Sequence, residues 1–438
     1  MLQSEHEQSA AKLNDVIVIG AGAAGLMAAA SCAEHGRRVL VLEKNRKIGV
    51  KILMSGGTRC NITHNTDARG IAEAFGRQGK FLRSALAALP PEEVIHKIES
   101  LGVATKVEST GKIFPISNKA IDVRDALVTL ATNAGATIAT EQPVRRIESI
   151  AASSEDTNDS EARFRVLTDT QCYEANSVII TTGGKSYPGC GTTGDGYAWA
   201  EQFGHSIVRT VPALAPVACD EDWVHELSGI TIEDCELSIY PVSMKRKQKP
   251  LDVRRGPLLF THFGFSGPTA MNISRTIARN ESDGNGKPEE LTLRCDFLPT
   301  VTAEGLSNRF EQQKQTAGKE TAAQLLSPFF PRRLAESLLD QATIPPERKN
   351  AELTKSHLVQ LVETVKRTNF PVHTTLGYKR AEVTAGGVNL KEVDSRNMQS
   401  KLHEGLFLAG EILDVDGPIG GFNFQAAFST GWLAGQHA

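Results

Sequence analysis

Apolar positions along this chain fall into short blocks whose spacing switches between strand and helix periods. Val16-Ile-Val-Ile19 is a run of four β-branched residues, as in a strand buried on both faces. An Ala-rich stretch from Leu26 to Cys32 follows as a helix start, and Arg38-Val-Leu-Val-Leu42 is a second apolar strand. Residues 15–43 therefore predict a β-α-β unit. Residues 44–63 are polar, glycine-rich and short of helical periodicity. Helical spacing returns over 80–102 and over 120–135, the latter through Val123, Leu127, Val128 and Leu130. Strand-like runs occupy 136–150, 162–168 and 177–182, and the polar stretch 153–160 predicts an exposed hairpin tip.

From about residue 200 the pattern changes. Glu236-Leu-Ser-Ile-Tyr240 and Leu291-Thr-Leu-Arg-Cys-Asp-Phe297 alternate as small antiparallel strands do, and 303–368 reads as several helices. Then Glu382-Val-Thr-Ala-Gly-Gly-Val388 and Gly405-Leu-Phe-Leu-Ala-Gly-Glu411 return to strands that end in glycine. The predicted architecture is α/β, with one dinucleotide-binding domain over 1–199 and 379–438 interrupted by an insert over 200–378. The insert is expected to be barrel-like over 200–302 and helical over 303–378. No internal repeat is visible.

The first strand runs into Gly20-Ala-Gly22-Ala23-Ala24-Gly25, the G-x-G-x-x-G spacing. The first glycine permits a tight turn and the second lets backbone N–H groups approach a pyrophosphate. The third lets helix and strand pack closely, with the helix N-terminus facing the anion. Glu43 closes the second strand, 18 residues after Gly25, where a carboxylate can bind adenosine ribose hydroxyls. Glycines alone are a weak signal, but strand, glycines, helix, strand and acid in order are a strong one.

At the other end, Leu406-Phe-Leu-Ala-Gly410-Glu411, with Asp414 and Asp416, is a strand whose carboxyl end carries glycine and acids. Ligands of open α/β sheets bind at such ends. Gly417-Pro-Ile-Gly420-Gly421-Phe-Asn423-Phe-Gln425 leads into a helix that starts at Ala426, giving a second helix N-terminus suited to a pyrophosphate or an anionic ring. Two such sites far apart in sequence suit a long dinucleotide, so FAD fits better than NAD.

Composition adds limits. Of 438 residues, 40% are hydrophobic and 23% charged, and the net charge is −3, which gives no global pull toward nucleic acid or anionic membrane. The polar, acidic start Met1-Leu-Gln-Ser-Glu-His-Glu-Gln-Ser9 has no signal-peptide pattern, and no apolar run reaches the length of a membrane span. Seven scattered cysteines without C-x-x-C favour reduced thiols in a cytoplasm, and no histidine spacing predicts a metal site.

Several stretches together resemble the HI0933-like flavoproteins, the BaiN-like NAD(P)/FAD-dependent oxidoreductases. They are Lys51-Ile-Leu-Met-Ser-Gly-Gly-Thr-Arg-Cys-Asn-Ile-Thr63, Gly111-Lys-Ile-Phe-Pro-Ile-Ser117, Thr182-Gly-Gly-Lys-Ser-Tyr-Pro188, Gly191-Thr-Thr-Gly-Asp-Gly196, Thr261-His-Phe-Gly-Phe-Ser-Gly-Pro268, Thr384-Ala-Gly-Gly-Val388, Ser400-Lys401 and 405–423. Thr58 and His64 stand where the family usually has glycine and asparagine. The resemblance implies a Rossmann-like FAD-binding domain of the two-dinucleotide-binding-domain flavoprotein type, with a small antiparallel β-barrel and helices inserted. It also implies that Lys51, Ser55, Gly56, Arg59 and Asn61 line the flavin or its phosphates and that Val144 meets adenine through its backbone. The expected cofactor contacts are these residues with Gly20, Gly22, Ala23, Ala24, Gly25, Glu43, Lys44, Thr182, Gly183, Gly184, Gly410, Glu411, Asp414, Gly420, Gly421, Asn423, Gln425 and Ala426.

For proton transfer the candidates are His262, on a glycine- and proline-punctuated loop of the insert, with Tyr187 and Lys112. A structural histidine and two packing or surface residues are the plainer readings. Cys60 beside Arg59 invites a reactive-thiol role, but no resolving cysteine lies close by, and a buried small hydrophobe is the plainer reading. Gly189-Cys-Gly191-Thr-Thr-Gly194 matches G-x-G-x-x-G yet follows Tyr187-Pro188 rather than a strand, and position 214 is leucine. It does not mark a second nucleotide domain. The basic run Lys245-Arg-Lys-Gln-Lys249 reads as a solvated hairpin tip.

The sequence thus predicts a cytoplasmic FAD-dependent oxidoreductase acting on a small organic substrate. Reduction of an activated C=C bond is implied by the resemblance, with NAD(P)H as a candidate donor docking transiently. Neither nucleic acid nor membrane is an expected partner. The rival readings are a flavin-dependent RNA-modifying enzyme and a non-enzymatic redox carrier.

Overall fold

The computed structural model describes residues 13–150, 163–243, 248–282 and 290–438. The hairpin tip expected at 153–160 and most of the basic run at 245–249 lie outside the described residues. The chain divides into two compact units, 1–210 with 382–438, and 211–381.

The first unit opens with β1 (Leu13–Ile19), α1 (Ala23–Glu34) and β2 (Val39–Leu42). Then come α2 (Val50–Thr58), β3 (Thr63–His64), α3 (Ala68–Ala74), α4 (Gly79–Ala88), α5 (Pro91–Ser100), β4 (Thr105–Val107), β5 (Lys112–Pro115) and α6 (Ala120–Ala134). The sheet strands β6 (Thr137–Ala139), β7 (Val144–Ser149), β8 (Phe164–Thr168) and β9 (Cys172–Ile180) precede α7 (Asp195–Gln202) and β10 (Ile207–Ala213).

The second unit carries β11 (Val217–Ala218), α8 (Asp222–Glu226), β12 (Thr231–Pro241), β13 (Asp252–Thr261), β14 (Gly264–Ser266), α9 (Gly267–Ser282) and β15 (Leu291–Asp296). Four helices follow, α10 (Ala303–Thr316), α11 (Ala322–Leu326), α12 (Arg332–Gln341) and α13 (Lys355–Arg367), and then β16 (Thr368–Val372). The chain ends with β17 (Val383–Val388), β18 (Leu406–Leu408) and α14 (Phe422–His437), all in the first unit.

The main sheet of the first unit runs β6-β2-β1-β9-β8-β7. β1 pairs in parallel with both β2 and β9, and β2 in parallel with β6, the arrangement a β-α-β start dictates. One edge of β9 follows β1 along most of its length. Its other edge is shared: β8 pairs antiparallel with 172–175, and β18 pairs in parallel with 178–180. Val16, Ile17, Val18 and Val41 are fully buried, as expected of strands covered on both faces.

α1 packs against α14, and glycine sets the closeness. A Cβ on Gly431 would stand 2.1 Å from the Ala24 carbonyl oxygen, and one on Gly435 2.4 Å from that of Ala28. Within the turn itself, a Cβ on Gly25 would meet the Gly20 oxygen at 1.8 Å, which accounts for the third glycine of the fingerprint.

The second unit is a six-stranded antiparallel sheet, β11-β14-β13-β12-β15-β16. It bends until its ends nearly meet, where the Ala218 N–H donates to the Thr374 carbonyl at 3.1 Å and the Leu376 N–H to Pro216. Phe260, Phe265, Phe297 and Phe370 fill its interior with edge-to-face and stacked contacts.

Several expectations need correction. Residues 80–102 form two helices, because Pro90-Pro91 excludes Leu89 from helical geometry (φ −144°, ψ 83°) and starts α5 afresh. The run 136–150 is two strands, broken near Glu141 at φ +58°. Residues 44–63 hold a short helix that unwinds at Ser55-Gly56-Gly57, with Gly56 and Gly57 at φ +56° and +66°. The helical part of the insert stops at Arg367: Phe370 and Val372 alternate inward and give the barrel its last strand. Helix α9 interrupts the strands of the preceding part.

Candidate functional site

The backbone at the end of β1 turns through Gly20 (φ +103°) into α1. Gly22 caps the helix without any side-chain hydrogen bond, no acid stands in the first turn, and a Cβ on Gly22 would meet nothing within 4 Å. The first-turn N–H groups around Ala23 and Ala24 thus have no capping side chain, and they stand at the positive end of the helix dipole. Glu43 is only 7% exposed, and its carboxylate organises this turn. Oε2 accepts from the Ala21 N–H and Oε1 from the Asn45 N–H, both at 2.8 Å. Each oxygen keeps a lone pair for a further donor. Thr181 ties β9 to the turn by donating to the Ile19 and Gly20 carbonyls at 2.9 Å. Beside it, Thr182 Oγ1 is buried and has no hydrogen-bond partner among the described residues, and Gly183 and Gly184 follow. Lys44 pairs with Asp195 at 2.5 Å and reaches Thr193.

The second glycine turn precedes α14. Gly420 and Gly421 have φ of +137° and +91°, and Gly421 caps the helix without a side-chain hydrogen bond of its own. Its bracing comes from β3 and its surroundings. With its amide oriented to satisfy its neighbours, Asn61 accepts from the Gly421 N–H at 2.9 Å and donates to the Ile113 and Thr63 carbonyls. His64 Nδ1 meets the Gly420 carbonyl at 3.0 Å, and its ring stacks on Phe422 with centroids 4.6 Å apart. Asn423 closes the loop onto both backbone groups of Gly417. Gln425 is fully buried, accepting from Thr63 and donating to the Leu89 carbonyl and Ser429, so its side chain anchors the helix. Ala426 is buried behind it. Asp414 and Asp416 meet Gln78, whose Nε2 donates to the Asp414 carbonyl at 2.7 Å.

Between the turns lies a partly buried ion pair. Lys51 on α2 meets Glu411 and Ser186, both at 2.6 Å. Ser186 also donates to Glu411 at 2.8 Å, and the Thr384 N–H does so at 2.9 Å. The neighbouring Gly410 N–H donates to Thr430 on α14 at 3.0 Å. Burial pushes the Glu382 carboxyl above its usual range, against the opposing pull of Lys51 and then Lys112. Arg59 lies 4.0 Å over the Phe114 ring and pairs with Glu108 at 2.7 Å. Ser55 Oγ donates to the Ile52 carbonyl at the kink beside Gly56.

Lys112 starts β5, Tyr187 sits at φ +52° between Ser186 and Pro188, and Val144 begins the edge strand β7. His262 belongs to the other unit, exposed at the turn between β13 and β14 and packed edge-on to Phe263. Cys60 is fully buried, and burial pushes its thiol up to about 12 against the opposing hydrogen bond with Ser55. A 3₁₀ turn over Pro188–Cys190 and irregular backbone over 191–194 lead into α7, so no strand runs directly into the stretch 189–194. Among the described residues no cluster of three or more metal-ligating side chains occurs, and no helix is long and apolar enough to cross a membrane. Ser186, Thr384 and Gln78 were not singled out from the sequence. Each acts through a partner roughly 200 or more residues away, which local pattern does not reveal.

A glycine turn on the parallel part of a mixed sheet, with a second turn against the same helix pair, defines a Rossmann-type nucleotide-binding protein. The family model described as HI0933-like protein Rossmann domain matches residues 14–437, and the chain belongs to that family. It is 32% identical over 418 residues to a ribosomal RNA dihydrouridine synthase of Haemophilus influenzae, covering 95% of this chain and 96% of that protein. A 3-dehydro-bile acid delta(4,6)-reductase of Clostridium scindens is 31% identical over 428 residues, covering 97% and 99%. A ribosomal RNA dihydrouridine synthase of Escherichia coli is 31% identical over 425 residues, covering 96% and 97%. These relatives are oxidoreductases.

Proposed function

We propose that the protein is an FAD-dependent reductase of C=C bonds conjugated to a carbonyl. The observation that carries the cofactor is the pair of helix N-termini, on α1 and α14, that glycine caps with no side-chain hydrogen bond of its own. On this reading the N–H groups from Gly22 to Gly25 hold the pyrophosphate, and the free lone pairs of Glu43 take ribose hydroxyls. Lys44 and the Val144 backbone flank the adenosine, and Thr182 Oγ1 gains a partner that it lacks among the described residues. Lys51, Ser55, Gly56, Arg59, Asn61 and Glu411 line the ring system. The α14 N-terminus and the N–H groups beyond Gly421 favour negative charge on the pyrimidine edge of a reduced flavin. When bound, the cofactor supplies hydride. The chain's task is to hold the substrate carbonyl and to deliver a proton to the α-carbon from Lys112 or Tyr187.

The activities for which the relatives are named support the reaction class, since a dienone and a uracil both present a C=C bond next to a carbonyl. Purified protein should carry the two visible flavin bands and release FAD on denaturation. A stopped-flow screen should then show bleaching by NADH or NADPH and recolouring by an enone. A colourless protein that cannot be reconstituted overturns the reading. A second reading, uracil in RNA as substrate, is favoured by the two dihydrouridine synthases at 32% and 31% identity. Its test is a gain of two hydrogens on uridine in RNA incubated with reduced holoenzyme.

A further inference from the structure

The turn between α3 and α4 reaches the site from outside. Gln78, at this turn, holds the loop that carries Asp414 and Asp416, and a Cβ on Gly417 would strike the Phe75 ring at 2.7 Å. Beyond that contact the two helices leave a groove of about 520 Å³ between them. Its floor is made of small residues, among them Ala72, Gly76 and Gly79, and its rim is cationic. Arg69, Arg77, Lys80 and Arg83 are all exposed on these helices or their turn. Arg69 is neutralised by Glu73 at 2.8 Å. Arg77, Lys80 and Arg83 form no ion pair among the described residues, so three positive charges stand uncompensated within seven positions. That is a local excess in a chain whose net charge is −3.

We infer that the α3–α4 face is a docking surface for the sugar-phosphate strand of RNA, placed to lead a nucleotide toward the Asp414–Gly417 loop. The proposal rests on the second reading above, with RNA as substrate. The floor of alanine and glycine lets a backbone approach closely. Unpaired cations beside it bind phosphates by releasing condensed counterions, which makes the interaction salt-dependent. A shallow groove with no base-specific donor array fits positioning of the strand rather than reading of its sequence.

The test uses the full-length holoprotein and a fluorescent oligouridylate of roughly 20 nucleotides, with binding followed by anisotropy from low to moderate salt. The R77A/K80A/R83A variant is expected to weaken binding roughly 100-fold at 0.1 M salt and to lower the slope of log Kd against log salt by about 2. Its flavin spectrum and melting temperature should remain those of the parent, and R77K/R83K should bind as the parent does. If the parent binds RNA and the triple variant binds equally, with an unchanged slope, the surface is wrong while the RNA reading stands. If the parent shows no salt-dependent binding, the RNA reading fails and takes this surface with it. Equal, equally salt-dependent binding of a polyglutamate peptide that the triple variant loses overturns RNA as the occupant.

Discussion

The two glycine turns look alike in sequence but are held in different ways. The turn before α1 is organised by its own β-α-β unit: Glu43, 22 residues from Ala21, accepts from the turn, and Thr181 on the adjacent strand closes it. The turn before α14 is braced by side chains that come from more than 300 positions away, Asn61 and His64 on one side and Gln78 on the other. A motif that holds itself together is visible in a linear string. One assembled by tertiary contacts shows only its glycines.

The strongest perturbation of the comparison removes the contact that joins the two helices. Gly431→Ala places a Cβ about 2 Å from the Ala24 carbonyl. The substitution should cost about 3 kcal/mol or more, seen as a drop in melting temperature of apo and holo protein alike. Unchanged melting would mean that α1 and α14 can separate freely. Next comes Lys51→Met, which strands Glu411 among Ser186 and the Thr384 N–H. A loss of about 2 kcal/mol in denaturant unfolding is expected, with part regained in the Lys51→Met/Glu411→Gln double variant. Additive losses would show that the two side chains do not act as a pair.

Glu43→Ala leaves the Ala21 and Asn45 N–H groups without their acceptor and should cost about 1–3 kcal/mol. On the proposed function it also weakens FAD retention while leaving the visible spectrum of the residual holoprotein unaltered. Asn61→Ala, which frees the Gly421 N–H, should cost about 1 kcal/mol and act the other way round. There the flavin is retained, but its visible band and potential shift. Identical effects of the two substitutions would erase the distinction between the turns.

The smallest effect is a pH dependence outside both turns. His205 is buried, with Nε2 2.8 Å from Ser400 Oγ and Nδ1 3.4 Å from Glu392. Burial holds its imidazole below the ordinary value despite Glu392. The unfolded chain therefore takes up a proton near pH 6.5 that the native protein refuses. This contribution to stability is complete above that pH and declines as pH falls below it. His205→Asn should flatten the acid limb of a plot of melting temperature against pH, and an unchanged limb would assign it to other groups.

Much of the first unit was legible because strands buried on both faces write themselves as unbroken apolar runs, as Val16–Ile19 and Val39–Leu42 do. The alternation of the barrel strands was legible because they bury one face in the interior and turn the other outward, as Leu291, Leu293 and Cys295 do. What escaped was set by single residues or by distance. Pro90-Pro91 cut one expected helix into two, and β16 followed directly on α13 with only Thr368 at the junction. The ion pair of Lys51 and Glu411 spans 360 positions, and the groups that donate to it, the Ser186 hydroxyl and the Thr384 N–H, belong to ordinary polar residues in loop and strand. The glycines at 431 and 435 read as weak points of a helix, yet they are what lets α14 lie against α1.

The divided edge of β9 has a consequence for biosynthesis. Half of that edge is filled by β8, made a few residues earlier, and half waits for β18, which the ribosome delivers more than 220 residues later. Until then α1 also lacks α14, so a nascent chain carries an unpaired strand edge and an uncovered alanine-glycine surface while the whole second unit is being synthesised. At about 5–20 residues per second that exposure lasts on the order of tens of seconds. The second unit, continuous in sequence, can complete its sheet in that interval, and the nucleotide-binding unit closes last.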